Sequence, residues 1–564
     1  MVPVFILACM TVLAAGYFLY GRVLDRVVRV DDRHITPAAQ INDGQDYVPA
    51  KAPLLLGQHF SAISAAGPIV GPILACLWFG WLPAVLWILL GSIFIGGLHD
   101  YFSLMASVRH RGASIGELVR QYISRNSQML FLIFVWFALV YVIIAFTDIT
   151  AQTFRIVTSE GVFGPGVAAS SLFYLLAAAV MGVCLYRLKM SLWLATVIFL
   201  PVVLFIVWAG PRLPQGVLDA LAAIPVKRWD LIILAYCFIA SIVPLWILLQ
   251  PRGYLGGWLL YLTMATALFG GIFGRAAINY PALNLEGLRS ALNAAPLFPI
   301  LFITVACGAC SGFHGIVSSG TTSKQLARER DGRVVAYGAM LLEGLVAVLA
   351  VATVMVLAQG SSEAKGEPNF IFASGLARYL AMAGIPFSMA LGFMLLAFST
   401  FVYDTLDVCT RLARYIFQEL TGWKTYAGGV GATLATLALP AIFLISTKEK
   451  GYLIAWPIFG TTNQLLAGLT LLAVTVWLAR TGRPFVFALA PMCVMMLFSM
   501  WSLVLQILPV FRQGFSGKPE TAIIGVVGIL LFSLALWLAA EAATVMWRCR
   551  KEARAGRSAC RRDA

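Results

Sequence analysis

Apolar runs long enough to cross a bilayer recur about fifteen times along this chain of 564 residues. A helix needs roughly 20 consecutive apolar residues to span the hydrocarbon core. The expected spans are 2–21, 57–79, 81–106, 128–150, 167–186, 190–210, 231–250, 256–275, 296–320, 334–358, 385–408, 428–446, 452–479, 485–508 and 521–547. Strand-length segments of alternating polarity are missing, which excludes a membrane β-barrel. Composition agrees: 60% of residues are hydrophobic and 12% charged, against about 25% charged in ordinary globular chains. Soluble domains, disorder, coiled coils, collagen and disulfide-stapled scaffolds are excluded by the same ratio. The chain reads as an all-α polytopic membrane protein. Fifty glycines and 25 prolines suit close helix packing and helix breaks inside it.

A net charge of +15 would suggest nucleic acid as a partner in a soluble protein. Here 28 of the 40 Lys and Arg residues fall in the loops that become cytoplasmic if the N-terminus lies outside. Topology therefore accounts for the charge, and no nucleic-acid partner is expected. No basic residue precedes the first run, while Arg22, Arg26, Arg29 and Arg33 follow it. A cleaved signal peptide shows the reverse, so residues 1–56 are expected as an N-out anchor helix and a cytoplasmic loop. The basic tail, 548–564, suits contact with anionic lipid or simply obeys the same charge rule.

Chemistry-bearing motifs are scarce. Cys307 and Cys310 form a C-x-x-C without a second pair, and small residues three apart on a packed helix are the commoner cause. Zinc, phosphate-loop and G-x-S-x-G patterns are missing, so neither an enzyme nor a bound metal is expected.

Three places break the rules of a membrane helix. In GQHFSAISAAGPIVGPILA (57–75), Gln58, His59, Ser61 and Ser64 precede two Gly-Pro pairs at 67–68 and 71–72. Proline removes a backbone donor, and interrupted backbone is tolerated at membrane depth only where it is buried or lines a cavity. A binding-site break is favoured over a kinked helix using Gly67 and Gly71 as a packing seam. In SIVPLWILLQPRGYLGGW (241–258), Pro244 and Pro251 flank Gln250 and Arg252. Arg252 reads as a partner for a carboxylate or as an ordinary cytoplasmic-end arginine. In ACGACSGFHGIVSSGTTSKQLARERDGR (306–333), Ser318, Ser319, Thr321 and Thr322 place four hydroxyls in five residues. They could be hard ligands for a small cation, or cap the carbonyls of a helix end.

Counting from 57–79, the segment at 241–258 is the sixth span of a core and runs opposite to the first. That spacing predicts a five-plus-five inverted repeat whose broken first and sixth helices meet at the midplane. The expected units are a first core repeat at 57–210, a second at 231–408, additional transmembrane helices at 428–547 and the tail. Six acids fall inside spans: Asp100, Asp148, Glu343, Asp404, Asp407 and Glu541. Charges at such depth commonly mark ion or proton pathways. Glu343, nine residues into its span, is the first candidate for a proton carrier, and His99 beside Asp100 could orient a proton. Pairing with Arg109 and Arg411 is the plainer expectation for Asp100 and Asp407. Interfacial placement is expected for Asp148 and Glu541, and a packing role for Asn463 and Gln464.

NDGQDYVP (42–49), GQHFSAISAAGPIVGP (57–72), HDYFSLMASVRHRGASIGE (99–117), WILLQPRGYL (246–255), ACGACSGFHGIVSSGTTSKQL (306–326), YGAMLLEGLVAVLA (337–350), TLDVCTRLARYIFQEL (405–420) and WPIFGTTNQLLAGL (456–469) occur in this order. Together they resemble the carbon starvation protein A (CstA) family of bacterial inner-membrane permeases, which take peptides or pyruvate. Where that family has GHHF this chain has Gln58, and where it has Val this chain has Cys310. The resemblance implies a cation-coupled permease importing small carbon sources during carbon starvation, set in the LeuT-like (APC-type) architecture that the spacing of broken helices predicts. A small organic acid or short peptide would bind at Gln58, His59, Ser61, Ser64, Gly67, Gln250 and Arg252. Coupling would use Na⁺ at Ser318, Ser319, Thr321 and Thr322 with carbonyls near Ala62 and Ala65, or H⁺ at His59 or Glu343; no other cofactor is implied. Two rival readings are a starvation sensor signalling through its tail and a redox or metal enzyme using Cys307, Cys310, His314 and His59.

Overall fold

The computed structural model describes residues 1–43, 47–64, 66–158, 161–244, 246–274, 276–284, 297–382, 384–423, 425–447, 451–513 and 519–554. Among these, twelve helices are long and apolar enough to cross a membrane, or thirteen if one bent pair is joined. The difference from the fifteen expected runs lies in three that are interrupted: 57–79, 231–250 and 296–320.

Helix α1 (Val2–Val28) packs against the core from one side. The first interruption separates α2 (Ala52–Ile63) from α3 (Gly67–Phe79), which meet at 45°. Ser64 leaves the helical region with φ −85° and ψ 85°. Pro68, at the start of α3, has no N–H to return to the Ser64 carbonyl, so the two halves are not stitched by the usual ladder; Pro72 lies inside α3. Gly80 turns the corner into α4 (Trp81–Arg109) with φ +92°, and a Cβ there would stand 2.4 Å from the Ala282 carbonyl oxygen. Glycine alone meets both demands. The short α5 (Ile115–Tyr122) and the long α6 (Arg125–Thr153) follow, capped by the hydroxyls of Ser114 and Ser124, which accept from the N–H groups of Glu117 and Ser127. A two-residue hairpin, Val157–Thr158 against Gly161–Val162, leads into α7 (Gly164–Tyr186) and α8 (Leu192–Arg212).

Next come α9 (Val226–Ile242) and α10 (Leu249–Phe273), which divide the expected run at 231–250 because Val243 is extended and Pro244 follows. The third interruption separates α11 (Leu297–Thr304) from α12 (Gly312–Gly320). The chain continues through α13 (Arg333–Met355), α14 (Pro368–Met382), α15 (Phe387–Thr421), α16 (Tyr426–Ser446), α17 (Tyr452–Arg480), α18 (Val486–Gln513) and α19 (Pro519–Arg554).

Packing between these helices obeys an approximate two-fold exchange. Helix α3 packs along α13, and α12 packs along α4; α10 packs on α15, and α17 on α6. Likewise α9 touches α15 as α16 touches α6, and the short α5 lies on α6 as α14 lies on α15. The helices exchanged with each other, α6 with α15 and α9 with α16, pack against one another. This is the five-plus-five inverted repeat the spacing predicts, but with different members. The mate of the first broken helix is α11/α12, not the segment at 241–258. The first repeat comprises α2–α6 with α9 and α10, and the second comprises α11–α17. Helices α7 and α8, expected inside the first repeat at 57–210, are an insertion packed on α10 and α15. The second repeat runs on to α17 rather than closing at 408. Charge counts and run lengths are blind to this, because an inserted helix pair preserves the alternation of inside and outside.

Candidate functional site

The breaks of the two interrupted helices touch. A Cβ added to Gly67 would fall 2.4 Å from Cys307 Sγ, and one on Gly71 would fall 2.2 Å from the Thr304 carbonyl oxygen. Glycine at both positions lets α3 lie directly on residues 304–308. The N-terminus of α12 is held from α17: Asn463 Oδ1 accepts from the Phe313 N–H at 3.0 Å, and its Nδ2 donates to Ser311 Oγ at 3.0 Å. Asn463 therefore binds one broken end, which is more specific than the packing role expected of it. Gln464 donates to the Phe302 carbonyl.

Two buried polar clusters flank these breaks. The first is built on Arg252, fully buried in the first turn of α10. Its Nε and Nη2 both donate to Asp404 Oδ1 at 2.9 Å, and its Nη1 donates to Asp407 Oδ2 and to the Tyr236 hydroxyl. The Tyr236 hydroxyl donates to Asp407 Oδ2 at 2.9 Å, and Ser61 Oγ of α2 donates to Asp404 Oδ2 at 3.1 Å. The guanidinium lies between the rings of Tyr236 and Tyr403, 5.7 Å from each centroid. Gly256, one turn after Arg252, admits Asp404: a Cβ there would be 2.2 Å from Oδ2. The cluster thus ties α2, at the first break, to α9, α10 and α15. With both carboxylates ionised its net charge is −1.

Arg252 is accordingly no cytoplasmic-end arginine, and Asp407 takes Arg252 rather than Arg411. Arg411 donates to the Ala240 and Val243 carbonyls, securing the last turn of α9 where the ladder stops. Arg109 binds Glu329 instead of Asp100. Asp148 is buried within the protein and accepts from the Tyr452 N–H at 2.7 Å. Glu541 accepts from the hydroxyl of Ser124 and the indole of Trp537.

The second cluster gathers around His314 of α12. His99 Nδ1 is 2.7 Å from Asp100 Oδ1, and Asp100 Oδ2 is 2.9 Å from His314 Nδ1. His314 Nε2 lies 3.2 Å from Glu343 Oε2. All four side chains are fully buried, and they come from α4, α12 and α13. His59, on α2, has its Nδ1 2.8 Å from Thr322 Oγ1.

Other expected site residues are placed as follows. Ser64 Oγ and Ser318 Oγ are buried with no hydrogen-bond partner among the described residues, as are His59 Nε2 and Gln58 Oε1. Ser319 and Thr321 donate to the Gly315 and Val317 carbonyls at 2.8 and 3.0 Å, so two of the four hydroxyls bond back to their own helix. Ala62 is half-buried on α2. Ala65 lies outside the described residues, as does the side chain of Gln250, whose backbone is in α10. Among the described residues no group of three or more His, Cys, Asp or Glu side chains suits a metal ion. Tyr236 and the pairing of Asp404 with Arg252 escaped sequence reading, although Asp404 and Asp407, three apart in an apolar helix, share one face and so point to a common cation. His314 was legible only as a metal ligand.

The family model for "Carbon starvation protein CstA" matches residues 1–368 and 361–502. The "Peptide transporter CstA" of Helicobacter pylori (strain J99) is 30% identical over 89% of this chain and 82% of its own length. That of Bacillus subtilis is 31% identical, covering 83% of each. The "Pyruvate/proton symporter BtsT" of Escherichia coli is 27% identical over 85% of this chain and 77% of its own. Among solved structures, a manganese transporter of Eremococcus coleocola is 12% identical with a TM-score of 0.46, covering 90% of this chain and 99% of that one.

Proposed function

Since this chain belongs to the carbon starvation protein CstA family, we propose that it is a cation-coupled secondary transporter importing a small organic acid or a short peptide across the bacterial inner membrane. The observation that carries the reading is the contact between two interrupted helices beside a buried arginine. Broken helices expose N–H and carbonyl groups at mid-depth, and those groups suit a carboxylate and a cation respectively. The N-terminus of α3 faces the break at 64–66, where Ser64 Oγ and His59 Nε2 lack partners among the described residues. Substrate binds there, with Gln58, His59, Ser61, Ser64 and Gly67 around it and Arg252 assisting.

Charge in the arginine cluster sets a condition on binding. Arg252 is already shared by two carboxylates, so a substrate carboxylate reaches the guanidinium only by displacing one of them. Adding an anion to a buried group of net charge −1 is strongly unfavourable unless a cation arrives too. Coupling and carboxylate binding are thereby linked. The name of the Escherichia coli relative as a pyruvate/proton symporter favours a proton and pyruvate; the names of the others favour peptides. The protein faces N-terminus outside, C-terminus inside, as its loop charges favour.

The test is uptake of labelled pyruvate, with a short peptide as comparison, into sealed vesicles holding the purified protein. Proton and sodium gradients are imposed separately. Gradient-driven accumulation that falls at least tenfold in Arg252→Lys supports the reading, since lysine keeps the charge but loses the planar fork. Gradient-independent binding without uptake would sink it and favour a sensor.

A further inference from the structure

We infer that His99, Asp100, His314 and Glu343 form a proton relay, with Glu343 and Asp100 as alternative seats for one exchangeable proton. The inference rests on the transporter reading and goes beyond it by naming where the coupling proton sits. It starts from the charges. Asp100 and Glu343 are fully buried, and among the described residues neither pairs with a lysine or arginine. Two buried carboxylates facing neutral imidazoles would leave two uncompensated charges, so the cluster must hold at least one additional proton.

Geometry says where the proton goes. His314 presents one ring nitrogen to each carboxyl: Nδ1 to Asp100 at 2.9 Å and Nε2 to Glu343 at 3.2 Å. A neutral imidazole has one donor and one acceptor nitrogen, so it satisfies both neighbours only if one carboxyl is protonated. The Glu343 contact is in range but out of line, and neither Glu343 oxygen has a hydrogen-bond partner among the described residues. An orphaned, fully buried carboxyl facing an imidazole nitrogen is placed to give or take a proton. The step balances. As the proton leaves Glu343 Oε2 for His314 Nε2, the Nδ1 proton passes to Asp100 Oδ2. One O–H and one N–H bond break, one of each forms, the ring exchanges tautomers, and no net charge is created. His99 Nδ1–H steadies the Asp100 carboxylate through Oδ1 at 2.7 Å. Gly315 makes room for it: a Cβ there would be 3.0 Å from the His99 ring.

The surroundings are otherwise poor in charge. The titratable groups close enough to act on the relay from neighbouring elements are His59 of α2 and the thiols of Cys307 and Cys310 in the break. His314 lies in the first turn of α12, next to that break, whereas Asp100 and Glu343 stand on the continuous helices α4 and α13. Tilting α12 at 305–311 therefore makes or breaks both contacts of the shuttle together, which is how occupancy of the breaks can be communicated to the proton.

Two readouts on the purified protein in lipid separate this inference from the transport reading. The first needs no substrate: infrared difference spectra between acidic and alkaline buffer, in the carbonyl-stretch region of protonated carboxyls. A pH-dependent band that disappears in Glu343→Gln, and shifts in Asp100→Asn, is expected. Spectra unchanged in both variants overturn the relay whatever the protein carries. The second compares accumulation driven by a proton gradient with one-for-one exchange of pyruvate across vesicles. His314→Gln keeps a donor and an acceptor but cannot exchange tautomers; it should lose accumulation at least tenfold while retaining exchange within about twofold. Full accumulation in His314→Gln overturns the relay. Failure of wild-type exchange with an intact infrared band would refute the substrate and leave the relay standing.

Discussion

Arginine 252 offers the sharpest test of how this core is held. Replace it by methionine, which has similar length and no charge. The guanidinium supplies two bonds to Asp404 at 2.9 Å and one to Asp407, and all three side chains are at most 5% exposed. Arg252→Met leaves two carboxylates facing each other with one hydroxyl apiece, from Ser61 and Tyr236, and moves the cluster from −1 to −2. Removing one partner of a buried pair costs about 3–5 kcal/mol, because the remaining charge is stranded. Asp404→Asn does the opposite. It leaves Arg252 paired with Asp407 at net zero, and its amide oxygen still accepts, so the loss should stay within the ~1.5–3 kcal/mol of a charge-assisted bond. The double variant should cost less than the sum of the two by more than about 0.5 kcal/mol, the limit of additivity for independent sites. Unfolding by SDS in mixed micelles, followed by circular dichroism, reads all three. If Arg252→Met proved no more costly than Asp404→Asn, or the two were additive, the charge argument would be wrong.

Three further outcomes follow from particular contacts. Gly71→Ala puts a methyl 2.2 Å from the Thr304 carbonyl and should lower stability by about 1–3 kcal/mol or abolish folding, while Gly216→Ala, with open space around it, should stabilise by about 0.5–1 kcal/mol; thermal unfolding in detergent ranks them. Asn463→Leu orphans the buried Phe313 N–H and should cost about 1–3 kcal/mol, whereas Asn463→Asp keeps the acceptor and should cost less, measured by the same melt. Cys307 and Cys310, at 7% and 0% exposed, should resist a membrane-permeant maleimide in the folded protein and react after SDS unfolding; fast labelling of the native protein, read by mass spectrometry, would revive redox chemistry at that pair.

Several sequence readings depended on local signals and held for that reason. Twelve runs of apolar residues became continuous helices, since a 20-residue apolar stretch has no alternative in a bilayer. The break at 57–75 was legible because two Gly-Pro pairs remove backbone donors wherever the chain goes. The family was legible because eight motifs keep their order across most of the chain. Readings that needed a partner fared worse. Asp100 and Asp407 were assigned to arginines a few residues away, when those arginines bind elsewhere: Asp407 pairs with Arg252, 155 positions away, and Asp100 sits between its neighbour His99 and His314, 214 positions away. Glu343 was singled out as a buried acid, but its neighbour His314 was read only as a metal ligand.

The amino-acid sequence alone therefore determined the class of solvent, the apolar segments, the break at 57–75 and the family. Each of these is written in windows of a few tens of residues, where hydropathy and proline act without reference to the rest of the fold. Tertiary structure decided which broken helices meet, that α7 and α8 are an insertion, and that the buried charges divide into an arginine cluster and a histidine–carboxylate chain. The reason is physical: a charge in a low-dielectric interior is settled by whatever group lies within a few ångströms of it, and in a bundle with an inserted helix pair that group is set by packing across the molecule.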